Sequence, residues 1–364
     1  MSNELTSSAV RLLQDLIKTP SFSREETETA QIIRTYLQSA GKEVHSKLNN
    51  VWVYSQDFRT ERPTLLLNSH HDTVRPTASW TIDPFRPVIR QGKLYGLGSN
   101  DAGGALVSLL HTFLYLDNLP DRPYNLLFAA TAEEEISGAN GIATVIDEIG
   151  PIALGIVGEP TSMEMAVAEK GLMVLDGEAQ GLSGHAARKE GVNAIYEAIQ
   201  DIRWIQNFHF PEKSDLLGEV NMCVTQIQAG TQHNVVPDRC TFVVDVRTNE
   251  RYTNEQVLEI ICHNTVSHIK PRSLRLNSSS VPLDHPIVRR GTELGLSYYG
   301  SPTLSDQALM TGFPTLKLGP GQSERSHTAD EFIALDEIEQ GITTYCRLLE
   351  GLQLPIMRRS DLQT

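Results

Sequence analysis

Three apolar runs constrain this chain most: residues 64–67, 125–130 and 152–157. The first two read as short buried strands and the third as a further strand. Helical patterns separate them, an apolar one over 105–116 and a shorter one over 138–149. Ahead of these, residues 5–18 carry Val10, Leu12, Leu13, Leu16 and Ile17 at helical spacing, and Pro20 ends that pattern. Ser23-Arg24-Glu25-Glu26 has the form of a capping box opening a second helix through Ala30, Ile33 and Leu37 to Gly41. A strand is expected over 51–54. Strand alternating with helix predicts an α/β fold, a central mostly parallel sheet covered on both faces.

The middle of the chain changes character. Residues 171–181, 220–228 and 240–247 alternate as half-exposed strands, and 191–207 and 254–268 are helical. Two helices over a mostly antiparallel sheet predict a small α+β domain. From Pro286 the pattern returns to helix, then a strand over 315–318, a Gly-Pro-Gly loop, and a last helix over 335–352. The reading is therefore a discontinuous outer domain, residues 1–170 and 279–364, interrupted by an inserted domain of residues 171–278.

With 364 residues the chain is long enough for two domains. Its net charge of −14 lacks the basic footprint a nucleic-acid partner needs. Cys223, Cys240, Cys262 and Cys346 form no C-x-x-C pair, a usage that fits unpaired cytosolic thiols. No basic region followed by an apolar one opens the chain, so no secretory signal is expected. No apolar run approaches a membrane span, and the expected location is cytoplasmic.

Acids and histidines gather where the expected strands end: His70 and Asp72, Asp101, Glu133 to Glu135, and Glu159, with His327 after the strand at 315–318. Ligands of open α/β sheets bind beyond the carboxyl ends of strands, so these positions can converge. Side chains alternate along a strand, so His70 and Asp72 share a face and His71 takes the other. Such a pair is either a metal ligand with its carboxylate or a hydrogen-bonded surface pair, and the stretch alone does not separate these. The other residues have ordinary explanations too: a solvated charge run at 133–135, a helix cap at Asp101, turn residues at Glu159 and His327.

The segments "SHHDTV", "YGLGSNDAGG", "TAEEEISGANG", "GEPT", "GLSGHAA", "QHNVVPD", "DVR" and "SHTADEF" occur in one order over nearly the whole chain. Together they resemble the dinuclear zinc aminoacylases and peptidases of family M20. That family includes acetylornithine deacetylase, succinyl-diaminopimelate desuccinylase and glutamate carboxypeptidase; the overall likeness favours the first branch. The resemblance implies two divalent ions, zinc or cobalt, with His70 and Glu159 as ligands of one, Glu135 and His327 of the other, and Asp101 bridging both. It implies Glu134 as general base and Asp72 as the carboxylate orienting His70. One histidine and two carboxylates per ion, one of them shared, leave a position open for water, as a catalytic zinc needs. His185 corresponds to a histidine reaching the active site of a partner subunit, which implies a homodimer formed through the inserted domain, with that domain also acting as a lid. Asn234 and Arg247 correspond to residues near the substrate, although a salt bridge within the lid is an equal reading of Arg247. Gly319 and Gly321 could offer backbone N–H groups to a substrate carboxylate. The implied reaction is removal of the acyl group from a small N-acyl amino acid, N2-acetyl-ornithine foremost, in arginine biosynthesis. Acetyl-citrulline or succinyl-ornithine are variants of it. A desuccinylase, an acetyl-lysine deacetylase or a di- or tripeptidase is the nearest alternative, and a silent metal-binding module lies further off.

Two features depart from the family pattern. Gly96-Leu97-Gly98 and Ala102-Gly103-Gly104 stand where the family often carries an arginine and a lysine around the bridging aspartate. Glu324 and Arg325 precede His327, and one of them is expected to read the substrate: Glu324 a cation, Arg325 an acid. "GLSGH" lacks the last glycine of a serine-hydrolase elbow, and "GLGSNDAGG" fits neither phosphate-loop pattern.

Overall fold

The computed structural model describes residues 2–355. Residues 1 and 356–364, the ends of the expected outer domain, lie outside the described residues. The chain divides into two compact units: residues up to Val167 with 280–299 and 305 onward, and residues 168–279 with 300–304. The expected boundaries were 170/171 and 278/279. Residues 300–304 were expected in the outer domain but join the second unit, where Ser301 O accepts the Lys170 N–H at 3.1 Å.

In the first unit the sheet runs Val44–Lys47, Asn50–Tyr54, Asn125–Thr131, Thr64–His70, Leu154–Val157, Thr315–Lys317, Met165–Glu169. Its four central strands, Asn125–Thr131 to Thr315–Lys317, are parallel to one another, and the strands flanking them pair antiparallel. Both faces are covered, which is why these runs are continuously apolar. Leu66, Leu127 and Ala129 pack with Trp52, Ile142, Val145 and Met310 on one face. Phe128 points the other way and meets Phe113 of the helix Gly104–Asp117, ring centroids 6.2 Å apart. That helix packs with Ser2–Ile17 and Leu335–Leu349.

Two local expectations fail in this unit. The helix expected over 138–149 shrinks to Ile142–Ile146, because the chain turns back on itself before it: the Gly138 N–H bonds to Glu133 O at 2.7 Å. The capping box at 23–26 does not form either. The helix begins at Thr27, after Glu26, with no side-chain cap, and Arg24 takes a left-handed φ of 77°. The Ser23 hydroxyl donates to Asp72 instead, and the buried Glu26 carboxylate accepts N–H groups from Arg24, Asn49 and Glu133. A buried carboxylate is costlier to leave without donors than a helix end open to water.

The second unit is an antiparallel sheet, in order Asn221–Ala229, Arg239–Arg247, Met173–Gln180, His268–Pro271. Buried and part-exposed residues alternate along Met173–Gln180 and Arg239–Arg247. One face therefore packs under the helices Ala194–Asn207 and Asn254–Asn264, through Leu175, Phe242, Val244, Ala198 and Ile261. Thr253 and Gln256 form a capping box on the second helix. Among the described residues no helix is long and apolar enough to cross a membrane.

A buried relay ties three helices of the first unit. His111 bonds to Val107 O and the Tyr36 hydroxyl, both at 2.7 Å, and that hydroxyl meets Ser8 Oγ. Burial pushes the His111 imidazole down to about 4, Arg11 adding to the shift. The folded protein thus holds His111 neutral where the unfolded chain, titrating near 6.5, takes up a proton. Its stabilising contribution is complete above pH 6.5 and lost as pH falls toward 4. Thermal melts over that window should show a shallower fall in Tm for His111→Gln than for the wild type; equal slopes would contradict this.

Candidate metal centre

Parallel strands end side by side here. The register aligns His70 with Thr131, Asn68 with Val157, and Val157 with Lys317. Whatever follows each strand is delivered to one edge: His70 and Asp72, Glu133 to Glu135, Glu159, and the loop from Gly319. Asp101 comes from the turn Ser99–Gly103 before the helix Gly104–Asp117. Its φ of −113° and ψ of 101° are non-helical, and Gly103 takes the capping position that was one reading of Asp101. His327 follows the turn Ser323–Arg325 and adopts a left-handed φ of 58°.

Two triads result. His70, Asp101 and Glu159 each offer one ligand atom within 4.8 Å of the others, and so do Asp101, Glu135 and His327. Asp101 belongs to both: Oδ1 lies 3.3 Å from His70 Nε2 and Oδ2 lies 3.6 Å from His327 Nε2. Glu135 Oε2 is 2.9 Å from His327 Nε2. Glu134 is in neither triad, yet its Oε2 stands 3.9 Å from His70 Nε2.

His70 is oriented by the chain behind it. Its Nδ1 lies 2.9 Å from the Asp72 carbonyl, an acceptor only, so Nδ1 carries the proton and Nε2 faces the carboxylates. The Asp72 side chain does more than face His70. Oδ1 accepts the Glu134 N–H at 3.1 Å, while Oδ2 accepts the Glu135 N–H at 3.2 Å and the Ser23 hydroxyl at 2.7 Å. His71, on the opposite side, bonds to Thr29 Oγ1 and Asn49 O, and burial pushes it down to about 4; it is a neutral structural residue.

The charges are unbalanced. Burial holds Glu134 well above the ordinary carboxylate range; His70 opposes this, and Glu159, Asp306 and Glu135 add to it. Burial likewise pushes Glu159 up to about 8. Its buried Oε1 has no hydrogen-bond partner among the described residues. The hydrogen bond to Glu135 lifts His327 to about 9. Burial opposes the charged forms of His70 and Asp101, but the carboxylates around His70 raise it well above its usual value and His70 holds Asp101 low. Imidazole nitrogens and carboxylate oxygens are the donor set of divalent transition ions, and cations here would relieve the repulsion.

Other expected residues are placed differently. The Gly319 N–H already donates to Thr161 Oγ1 at 3.1 Å, so it is not offered to a ligand. Both glycines sit where the packing is close. A Cβ on Gly319 would lie 2.4 Å from Glu159 O, and one on Gly321, where φ is 92°, would lie 2.5 Å from Asn100 Oδ1. Arg325 does not extend toward a ligand: it pairs with Glu337 at 2.7 Å and stacks on Phe332. Glu324 is exposed. His185, Asn234 and Arg247 lie in the second unit. There the Ala186 N–H bonds to Asn234 O, and His185 Nδ1 accepts the Ala187 N–H at 3.2 Å. Of the two readings of Arg247 the salt bridge is formed, a fork on both oxygens of Asp245 at 2.8 and 3.2 Å. Sequence reasoning missed the scaffold acids Glu26 and Glu331 and the amide of Asn100. Glu331 sits inside the "SHTADEF" stretch, the one signal that pointed to it.

A buried α/β sheet carrying two histidine–carboxylate triads on a shared aspartate fits a two-metal centre, and with the family match the class is a metal-dependent hydrolase. The chain belongs to Peptidase family M20/M25/M40, whose model matches residues 66–351. It is 28% identical to an acetylornithine deacetylase from Proteus mirabilis, over 95% of this chain and 97% of that protein. A succinyl-diaminopimelate desuccinylase from Thioalkalivibrio sulfidiphilus is 24% identical, over 95% of this chain and 99% of the relative. The crystal structure of aminopeptidase PepT from Bacillus cereus has the same fold, with a TM-score of 0.73 at 19% identity, over 95% of this chain and 98% of that one.

If the triads hold cations, metal-stripped protein should gain about 2.7 kcal/mol of stability at a cation concentration ~100 times Kd. Asp101→Asn, which weakens both triads, should lose most of that gain in a thermal melt. An equal gain in the variant would place the binding elsewhere.

Proposed function

We propose that this chain hydrolyses the amide bond of a small N-acyl amino acid, N2-acetyl-ornithine foremost, a step of arginine formation. The observation that carries the reading is the shared Asp101, with Glu134 beside His70 and in neither triad. The acetylornithine deacetylase relative, 28% identical, supports the acyl amino acid, and the desuccinylase relative, 24% identical, supports succinyl-diaminopimelate as the second reading.

In this reading His70, Asp101 and Glu159 hold one divalent ion and Asp101, Glu135 and His327 a second, zinc being the expected metal. Ions held there would polarise the scissile carbonyl and acidify a water. Glu134 takes that water's proton as the oxygen adds to the carbonyl carbon. It returns the proton to the nitrogen as the C–N bond breaks, releasing an amine and a carboxylic acid, and the acid's remaining proton passes to the amine, so that a carboxylate and an ammonium leave. Asp72 keeps Glu134 in place through its main-chain N–H.

His185 fits the part of an oxyanion donor. Its Nδ1 accepts a main-chain N–H, so the neutral ring carries its proton on Nε2. It would act in the site of a second copy, in a homodimer formed through the inserted domain. Asn234, beside it in the second unit, is the proposed carbonyl or carboxylate contact. Arg247 would have to leave Asp245 to reach a substrate carboxylate.

Glu134→Gln should keep its metal and lose kcat by ~10²-fold or more. Retained turnover would remove Glu134 as base. A turnover panel of acetyl- and succinyl-ornithine, acetyl-citrulline, acetyl-lysine, succinyl-diaminopimelate and free dipeptides tests the substrate; preference for a free α-amine would overturn the acyl amino acid reading. Mixed dimers of His185→Ala and Glu134→Gln chains should regain part of the activity, and none would return if His185 acted within its own chain.

A further inference from the structure

Glu331 is almost wholly buried, at 2% exposure, and its carboxylate is ringed by main-chain donors. Oε1 accepts the N–H of Asn100 at 2.7 Å and of Asp101 at 2.8 Å, and Oε2 accepts the N–H of Gly98 at 3.1 Å. Three N–H groups of one turn converging on a point form an anion nest, filled here by a side chain from far along the sequence. A carboxylate suits such a nest because it only accepts; burial and the nearby Asp101 push the group up, to about 8, and the three N–H bonds oppose them. The Glu331 carbonyl adds a fourth tie, accepting the Gly96 N–H at 3.0 Å.

Glu331 lies on the segment that carries His327. That segment bends sharply, His327 and Asp330 both holding left-handed φ values, 58° and 56°. Non-glycine residues persist there only where the surroundings over-determine them. Further bonds join the same two segments: Asn100 Nδ2 donates to Gln322 O at 3.0 Å, and Asn100 Oδ1 accepts the Gln322 N–H at 2.9 Å.

We propose that Glu331 is a positioning residue of the metal centre, whose carboxylate holds the Asp101 turn and the His327 segment together so that the Asp101–Glu135–His327 triad is set before a cation binds. This rests on the two-ion reading above. Glu331 touches neither ion nor substrate in it and acts through the main chain of Asp101. The Asp101–Glu135–His327 triad depends on it most, because both joined segments contribute ligands there, whereas His70–Asp101–Glu159 takes only Asp101 from them.

The test is a zinc titration of metal-stripped wild type and Glu331→Gln, with circular dichroism and melting of both metal-free proteins. Glutamine turns an NH2 toward main-chain N–H groups and leaves one acceptor. One of the two ions should bind about 10-fold or more weakly in the variant, the other within about 3-fold of wild type. In a His327→Ala background the same substitution should change the remaining affinity little. Unchanged affinities in a folded variant, or comparable losses at both sites, overturn the proposal. Should the variant not fold, hydrogen exchange of the wild type decides. Slow exchange at residues 98–101 without zinc supports the clamp, and fast exchange until zinc is added overturns it. Wild-type protein that binds no zinc would sink the two-ion reading itself, and this inference with it.

Discussion

Asp101 is the residue on which the site turns, because each of its carboxylate oxygens faces a different histidine. Concentrating Asp101, Glu134, Glu135 and Glu159 at the edge of a buried sheet costs desolvation and mutual repulsion. The fold sorts its acids in response. Asp72, Glu26 and Glu331 are filled by main-chain N–H groups and lock the turns in place. Glu134 and Glu159 lack that support; burial raises both, and it raises Glu331 too, though there the three N–H groups oppose the shift. Acids with donors read as scaffold, and acids without them read as groups poised for a cation or a proton.

The sheet makes this sorting possible. Parallel strands bring their carboxyl ends to one edge, so residues far apart in sequence meet without long loops. The strands are packed on both faces, and a one-residue slip would turn Leu66 and Phe128 into the wrong packing layer, which fixes where His70, Glu133 and Glu159 emerge. Turns then do the fine placement, with Glu133, Ser137 and His327 in left-handed conformations.

Much of this was legible in the residues themselves. Continuous apolar runs identified the buried strands, and period-two alternation identified the second unit's sheet. The metal-facing residues stood out because each follows a strand or a strand-linked loop. What stayed hidden was the tertiary destination of polar side chains. Ser23 and Glu26 carry a capping-box pattern, yet in the fold they serve Asp72 and Glu133, since buried charge outweighs a helix end. Arg325 looked free to read a substrate and is instead tied to Glu337 and Phe332. Gly319 looked like a donor, and its N–H is taken by Thr161. Glu331 stood in a quoted motif with no assigned role, because its three partners lie more than two hundred residues earlier.

The most direct measurement is anomalous diffraction from zinc-loaded crystals. Two ions ~3.5–4 Å apart, both touching the Asp101 carboxylate, are expected. A single ion, or two ions with no ligand in common, would contradict the shared-aspartate centre.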